Sequence, residues 1–407
     1  MLRLHEQTDC KMKWATAIAT DPSLPLSVQQ AAEKVFVGLD RQEPDLLIAF
    51  VSQDHLAAFD SLGKLLAREF ESAFLFGCCA SSVIGGGREV EDLPALSLTA
   101  AILPNVRLTG AHLEATAVPP VFAERRFWED ALQVTAQDEP GFLLLADPFS
   151  FEADDFLKGL DRAFPGSVSI GGLASGGRQP GSTALYLEDK VYHSGLIALA
   201  LTGDIELQAT LAQGSRPIGD PMFVTSARDN LIRELDGRVP RDVLGETYEN
   251  LSGADKRLFG DALFIGLAAA RDHSEYHVGD FLVRSILGLD PQSGALWVGG
   301  SAQANTVVQL HLRDAVSAAQ DVERTLRAHK QALAGSTPSA ALLFSCMSRG
   351  TGFYGQPDHD SNALRRLVAD VPIGGFFGSG EIGQMRGATH VHGHSSVFGT
   401  IGPRSRK

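Results

Sequence analysis

A near-copied glycine-rich segment constrains this chain more than any other feature: Ser169-Ile170-Gly171-Gly172-Leu173-Ala174-Ser175-Gly176-Gly177 in the middle and Pro372-Ile373-Gly374-Gly375-Phe376-Phe377-Gly378-Ser379-Gly380 near the end. Each copy is reached from an apolar run through a polar stretch of roughly thirty residues, the length of one β-α-β unit. The middle copy runs from Phe142-Leu143-Leu144-Leu145-Ala146 past Phe156, Leu157, Leu160 and Phe164, which share one helical face. The terminal copy runs from Ala341-Leu342-Leu343-Phe344-Ser345 past Leu364, Leu367 and Val368. A third, weaker copy opens the chain, from Leu46-Leu47-Ile48-Ala49-Phe50 past Leu62, Leu65, Leu66 and Phe70 to Phe76-Gly77-Cys78-Cys79. Strand-helix-strand crossovers give parallel pairing, and the short Gly turns after them give antiparallel pairing. The fold class expected is therefore α/β: mixed sheets flanked by helices, in two pseudo-repeated halves. Loops without bulky side chains at the strand ends let a ligand approach the backbone.

Domain boundaries are placed where the pattern restarts. Residues 1–30 read as an N-terminal tail leading into a first helix over Leu26 to Val37, residues 31–218 as the first domain, and residues 219–407 as the second. The second boundary falls in Gln213-Gly214-Ser215-Arg216-Pro217-Ile218-Gly219-Asp220-Pro221, a Pro/Gly cluster between the copies. With 35 basic against 49 acidic residues and a net charge of -14, the chain is a poor partner for nucleic acid or an anionic membrane. It has neither a basic leader followed by an apolar run nor about eighteen consecutive apolar residues. Cys10, Cys78, Cys79 and Cys346 form neither a disulfide framework nor a zinc spacing. The expectation is a cytoplasmic protein with reduced thiols, no metal and no cofactor.

Arg216-Pro217-Ile218-Gly219, Glu234-Leu235-Asp236-Gly237, Gly279-Asp280-Phe281-Leu282-Val283-Arg284, Ile286-Leu287-Gly288-Leu289-Asp290-Pro291, Phe344-Ser345-Cys346, Arg349-Gly350 and Gly380-Glu381-Ile382-Gly383 occur in this order. Together they resemble the successive signatures of the FIST family, over nearly the whole chain, from about Val37 through a FIST N-terminal region and then through a FIST C-terminal region to about Ile401. The resemblance implies a sensory module of signal transduction that binds a small ligand, an amino acid among the candidates, with no established reaction. The chain carries no kinase, cyclase or DNA-binding segment, so a separate signalling protein is the partner this implies. One departure is Met347-Ser348, where the family tends to have a small or amide residue and then Gly; a Met narrows that loop. The family's one His near the end is matched by His392, with His390 and His394 additional.

The candidate ligand site gathers at the strand ends of the terminal copy. Arg349, in a Gly-flanked loop, can hold a carboxylate in a two-pronged hydrogen bond, and Arg284 can assist it. Glu381, among Gly378, Gly380 and Gly383, can take a ligand ammonium or an internal arginine. Ser345 and the backbone around Gly350, Gly374, Gly375 and Gly380 complete the set, and opposite charges at its two ends suit a zwitterion. The alternative is a hydrolase or transferase with Cys346 as nucleophile and His392 as base; against it stands the ordinary reading of Cys346 as a small buried thiol. A third reading is an adaptor that recruits a partner through apolar patches. Asp358-His359-Asp360-Ser361 reads as a helix cap by Asp360 or Ser361 rather than as metal ligands. His390, His392 and His394 alternate onto one strand face, a spacing poor for a tetrahedral metal. The middle Gly-rich segment lacks the helix and ribose acid of a dinucleotide site.

Overall fold

The computed structural model describes residues 11–269, 276 and 279–404. Within them one α/β unit is built three times. The first unit is β1 (Lys13–Ala19), α1 (Leu24–Gly38), β2 (Leu46–Ser52), α2 (Leu62–Glu69), β3 (Phe74–Ala80), β4 (Ser82–Gly85), β5 (Arg88–Val90) and β6 (Leu96–Ile102). The second is β7 (Val106–Leu113), α3 (Arg125–Leu132), β8 (Gly141–Ala146), α4 (Ala153–Ala163), β9 (Ser169–Leu173), β10 (Leu185–Leu187), β11 (Lys190–Tyr192) and β12 (Leu196–Gly203).

The third unit opens with β13 (Glu206–Ala212) and is interrupted by an inserted barrel. The insertion holds β14 (Arg216–Arg228), β15 (Leu231–Leu235), α5 (Pro240–Asn250), α6 (Gly253–Phe259), β16 (Leu263–Ala268), β17 (Phe281–Leu289), β18 (Leu296–Val298) and β19 (Val307–Leu312). These strands close in the order β14-β15-β18-β17-β16-β19 around Ile218, Val224, Ile232, Ile265, Leu296 and Leu310. The unit then resumes with α7 (Ala315–Ala332), β20 (Ala340–Cys346), α8 (Thr351–Tyr354), α9 (His359–Leu367), β21 (Ile373–Gly378), β22 (Gly380–Met385), β23 (Ala388–His392) and β24 (Ser396–Gly402).

Each unit pairs its strands alike, giving β1-β6-β2-β3, β7-β12-β8-β9 and β13-β24-β20-β21, with the last pair of each parallel. The weaker opening copy is thus a complete unit. The hairpin after each third strand joins a neighbour's sheet: β4–β5 pairs with β21, β10–β11 with β3, and β22–β23 with β9. Leu185 to Leu187 thus pairs with the first unit's sheet and not with the sheet of its own unit. The reason is the exposed edge of the parallel pair, whose free N–H and C=O groups any well-placed strand can take. The exchange closes in a ring, so every sheet is completed by another unit.

The segment ahead of the first helix, expected as a tail, is a strand from Lys13 on, with Trp14, Ala15, Ala17 and Ile18 buried. Residues 1–10, Cys10 included, lie outside the described residues. One core joins inward residues of all three sheets, including Phe50, Phe344 and Phe376, whose rings lie 4.8 to 6.3 Å apart.

Glycine fixes the parallel pairs. Gly77, Gly171 and Gly375 lie opposite Ala49, Leu144 and Leu343, and a Cβ at each would come 1.9, 1.8 and 1.9 Å from that residue's carbonyl oxygen. Aligned by this contact, Gly171 matches Gly375, one place off from the match that the Gly-Gly pairs suggest. Gly172 meets a different constraint: its Cβ would lie 2.9 Å from the Gly380 carbonyl oxygen of the swapped β22.

Candidate functional site

Strand β20 ends at Cys346, and the chain turns back at once: Arg349 N–H donates to the Cys346 carbonyl at 2.9 Å, and Met347 N–H to Gly378 at 3.0 Å. The turn sends the Arg349 side chain inward, where none of its surface is exposed. Gly350, at φ +86°, starts α8 against Glu91 of the first unit; a Cβ there would lie 2.3 Å from the carboxylate. That carboxylate accepts from both the N–H and the hydroxyl of Thr351, each at 2.8 Å.

Asp360 does not cap α9, and neither does Ser361. The cap position is Asp358, at φ +57°, and the swapped hairpin supplies the acceptor: Ser361 N–H donates to Glu89 at 2.7 Å, while Glu89 N–H donates to Asp358 at 2.6 Å. Burial, then the neighbouring Asp360 charge, pushes the Glu89 carboxyl up to about 8. Asp360 is thereby free to turn inward, which is why the cap reading fails. It meets Arg349 Nε at 3.1 Å and accepts from Ser396 Oγ at 2.6 Å and His359 Nδ1 at 2.7 Å. Ser345 Oγ bonds Ser396 Oγ at 3.0 Å, adding a further link. The other Arg349 nitrogens donate to the His394 carbonyl, at 3.2 Å, and to the Tyr354 hydroxyl. Burial opposes the Asp360 charge, but Arg349 and the His359 and Ser396 hydrogen bonds outweigh it and hold the carboxyl below its ordinary value. The Tyr354 ring stacks on His359 with centroids 3.6 Å apart.

A second cluster surrounds Cys346, where the third unit meets the barrel. Ser348 Oγ lies 3.2 Å from Cys346 Sγ and 3.0 Å from His394 Nδ1. The other nitrogen of that ring lies 3.3 Å from Ser285 Oγ on β17, and the ring stands edge-on to Phe264 on β16. Burial, with Arg313 and Arg349 nearby, pushes His394 down to about 4. Arg313 lies 3.8 Å over the Phe353 ring and donates to the Ser348 carbonyl at 3.0 Å, while its Nε is buried without a partner. Glu381 is fully buried; Ser395 N–H and hydroxyl both reach its Oε2, and Oε1 has no partner. Burial first and Cys346 second push this carboxyl well above its ordinary value.

Comparing the three units isolates the thiol. The glycine match puts Ser52, Asp147 and Cys346 in equivalent places, and each donates its N–H to the residue before the last strand, Ala95, Gly195 or Ser395. The return bond differs. Ala95 N–H goes to Ser52 Oγ at 2.9 Å, and Gly195 N–H to Ser150 Oγ, itself bonded to Asp147. Ser395 N–H goes instead to Glu381, so Cys346 is relieved of this task.

A cleft of about 960 Å³ opens between α7 and α9, walled by Ala315, Val316, Ala319, Gln320, Tyr354, His359 and Asn362, with Arg365, Arg366, Glu323 and Asp370 also lining it. None of the residues expected to bind ligand is among its lining. Arg349, Ser345 and Gly350 stand behind the Tyr354–His359 wall, and Glu381 lies beside Cys346. Gly374 packs on Thr99, Gly375 on Leu343, and Gly380 on Leu173. Arg284 sits on barrel strand β17, part-buried, with Nη1 donating to the Val283 carbonyl.

His392, the expected base, is buried with Nε2 on the Gly383 carbonyl at 3.1 Å, and burial pushes it down to about 3. The histidine joined to the thiol is His394, which lies past the end of β23 at φ +61°, off the strand face of the other two. Among the described residues no group of His, Cys, Asp and Glu is placed to hold a metal ion. Sequence reasoning missed Ser348, Arg313, Tyr354 and the inward role of Asp360. The Asp358-His359-Asp360 run was the signal for Asp360, and the polar Ser348 between Cys346 and Arg349 the signal for that loop; Arg313 and Tyr354 carried none.

Residues 45–238 match the FIST N domain and residues 241–384 the FIST C domain. An uncharacterized protein of Mycobacterium tuberculosis is 31% identical over 385 residues, covering 95% of this chain and 98% of the relative. One from Mycobacterium bovis is 31% identical over 386 residues, covering 95% and 97%. Among solved structures, a cyanuric acid hydrolase from A. caulinodans aligns over 97% of this chain and 100% of that one, at TM-score 0.38 and 10% identity. A likeness of that degree is too low to bear on chemistry. No helix among the described residues is long and apolar enough to cross a membrane.

Proposed function

The chain belongs to the FIST family, whose domains are associated with small-ligand sensing in signal transduction, and on that premise we propose that it senses a small polar molecule in the cleft between α7 and α9. One observation carries this reading: Tyr354 and His359 line the cleft on one side and are hydrogen-bonded to the buried Arg349–Asp360 pair on the other. The cleft has the size of a metabolite site, at the upper end of the usual range of roughly 300–1,000 Å³. Its rim carries two ion pairs, Arg366 with Glu323 at 2.5 Å and Arg365 with Asp370 at 3.5 Å, whose partners a zwitterion such as an amino acid would engage by opening the pairs.

Arg349 acts from behind the wall in this reading. A ligand that tilts the Tyr354–His359 stack changes the bonds that Asp360 and Arg349 make, and through them Ser396 at the start of β24 and the His394 carbonyl. In this reading the output passes to a separate signalling protein in the cytoplasm. Thermal-shift and calorimetric titration with a panel of free amino acids tests the reading. Binding to the native chain, lost in Ala319→Trp, which fills the cleft, is expected; a panel that leaves the native chain unshifted argues against it.

A further inference from the structure

Cys346 differs from its two counterparts in the other units because its side chain takes no part in holding the strand-end N–H, which Ser52 binds directly and Asp147 binds through Ser150. Glu381 has taken over that bond, and the thiol contacts Ser348 instead. Ser348 continues to His394, and His394 to Ser285, so a hydroxyl and an imidazole stand in line behind the sulfur. Two polar atoms nearby lack partners: Oε1 of the fully buried Glu381, and Nε of Arg313. Both side chains are tied to residues that touch Cys346: Glu381 accepts from Ser395, whose carbonyl takes the Cys346 N–H, and Arg313 donates to the carbonyl of Ser348, whose hydroxyl meets the sulfur. A thiol beside two orphaned polar atoms is a place for a group that accepts hydrogen bonds and carries an electrophilic carbon. Cys346 keeps 6% of its surface exposed, beside Met347, which is exposed.

We propose that Cys346 is a nucleophile that accepts an acyl group from a small activated carbonyl compound, a thioester or aryl ester, with Ser348 and His394 as its proton relay and Arg313 and Glu381 as donors to the carbonyl oxygen. Hydroxyl hydrogens rotate to suit their partners, and a His394 proton on Nε2, directed at Ser285, leaves Nδ1 as acceptor. The thiol proton passes to Ser348 Oγ and the Ser348 proton to His394 Nδ1 as the S–C bond forms. The carbonyl π pair moves to oxygen, which Arg313 Nε–H and the protonated Glu381 hold. When the bond to the leaving group breaks, that group takes the proton back from Nδ1 through Ser348. The products are S-acyl Cys346 and the protonated leaving group, with no oxidant or metal consumed.

This proposal is independent of the cleft reading, and its test reads a different event. The full chain is mixed with p-nitrophenyl acetate, or with an acetyl thioester, and followed by nitrophenolate release, intact mass and peptide mapping. The expected result is a burst of one equivalent and one acetyl group on Cys346, absent in Cys346→Ala. Ser348→Ala and His394→Gln should slow the burst about tenfold or more while leaving the melting temperature near that of the native chain. In His394→Gln the rate should also acquire the alkaline rise of an unassisted thiol. Cys346→Ser, close in shape, serves as the folded control. A native chain without acetyl on Cys346, equal acetylation in Cys346→Ala, or relay variants that react at the native rate would each overturn the proposal.

Discussion

Ser395 gives both its backbone N–H and its hydroxyl to one oxygen of Glu381, at 3.1 and 2.7 Å, and the other oxygen of that carboxyl is left without a partner. Burial first, and the nearby Cys346 second, raise this group well above the ordinary 4.5. A folded-state proton that the unfolded chain releases stabilises the fold at low pH, and its contribution is lost as pH rises. Glu381→Gln keeps the shape and removes that titration. Its melting temperature should exceed that of the native chain at about pH 8, with the difference closing at about pH 4. A variant less stable at both values would show that the carboxylate is ionised and paired.

The Arg349–Asp360 pair is buried on both sides, with side-chain exposures of 0% and 3%. Truncating one partner strands the other's charge, so Arg349→Ala should cost about 3–5 kcal/mol in urea unfolding. Replacing both, as Arg349→Met with Asp360→Leu, should cost less than Arg349→Ala alone. Equal losses in the single and double variants would mean that packing, not charge, is what the pair supplies.

Three histidines sit far below the usual 6.5, all chiefly through burial: His311 and His394 at about 4, His392 at about 3. The unfolded chain takes up protons at these positions below 6.5 while the folded chain resists, so their stabilisation falls as pH drops through that window. Glu89 at about 8 and Glu381 act in the opposite sense, but only down to the unfolded carboxyl value of 4.5. Three histidines against two carboxyls leave one proton in favour of the unfolded chain, so the urea midpoint should fall gently between about pH 6.5 and 4.5, by about 1.4 kcal/mol of stability per pH unit, and more steeply just below, where the carboxyls no longer offset the histidines. A midpoint that stays level to about pH 3 would contradict the neutral buried histidines.

Gly375→Ala should cost about 3 kcal/mol or more, because its Cβ would lie 1.9 Å from a carbonyl oxygen in a paired strand that cannot retreat. Gly245→Ala, on α5 with nothing within 4 Å, should be neutral or stabilising by up to about 1 kcal/mol. Chemical denaturation of the two variants side by side measures the contrast. Equal effects would show that close approach is not what Gly375 provides.

The repeat units were legible because an apolar run, an amphipathic stretch and a glycine are local signals with fixed periods. The hairpin exchange was not, since any open strand edge accepts a strand, and only the packing of the whole chain selects which one. For the same reason the Gly-Gly pairs misled by one residue: only register shows that Gly171 and Gly375 both face a carbonyl oxygen. At the site, the terminal strand end and its charged residues could be read from the loop, but partnerships could not. Asp360 resembles a cap until Glu89, over two hundred and fifty residues away, supplies the acceptor for Ser361. His394 looks redundant beside His392 until the chain turns at the end of β23 and aims it at Ser348.

The most direct measurement is native mass spectrometry of the full chain after exposure to a small-metabolite extract, run beside Ala319→Trp. The native chain should carry a small polar molecule that the variant lacks, and that molecule, added back pure, should raise the melting temperature of the native chain alone. A native chain that flies at its bare mass, or a molecule retained equally by Ala319→Trp, would contradict ligand sensing in the cleft between α7 and α9.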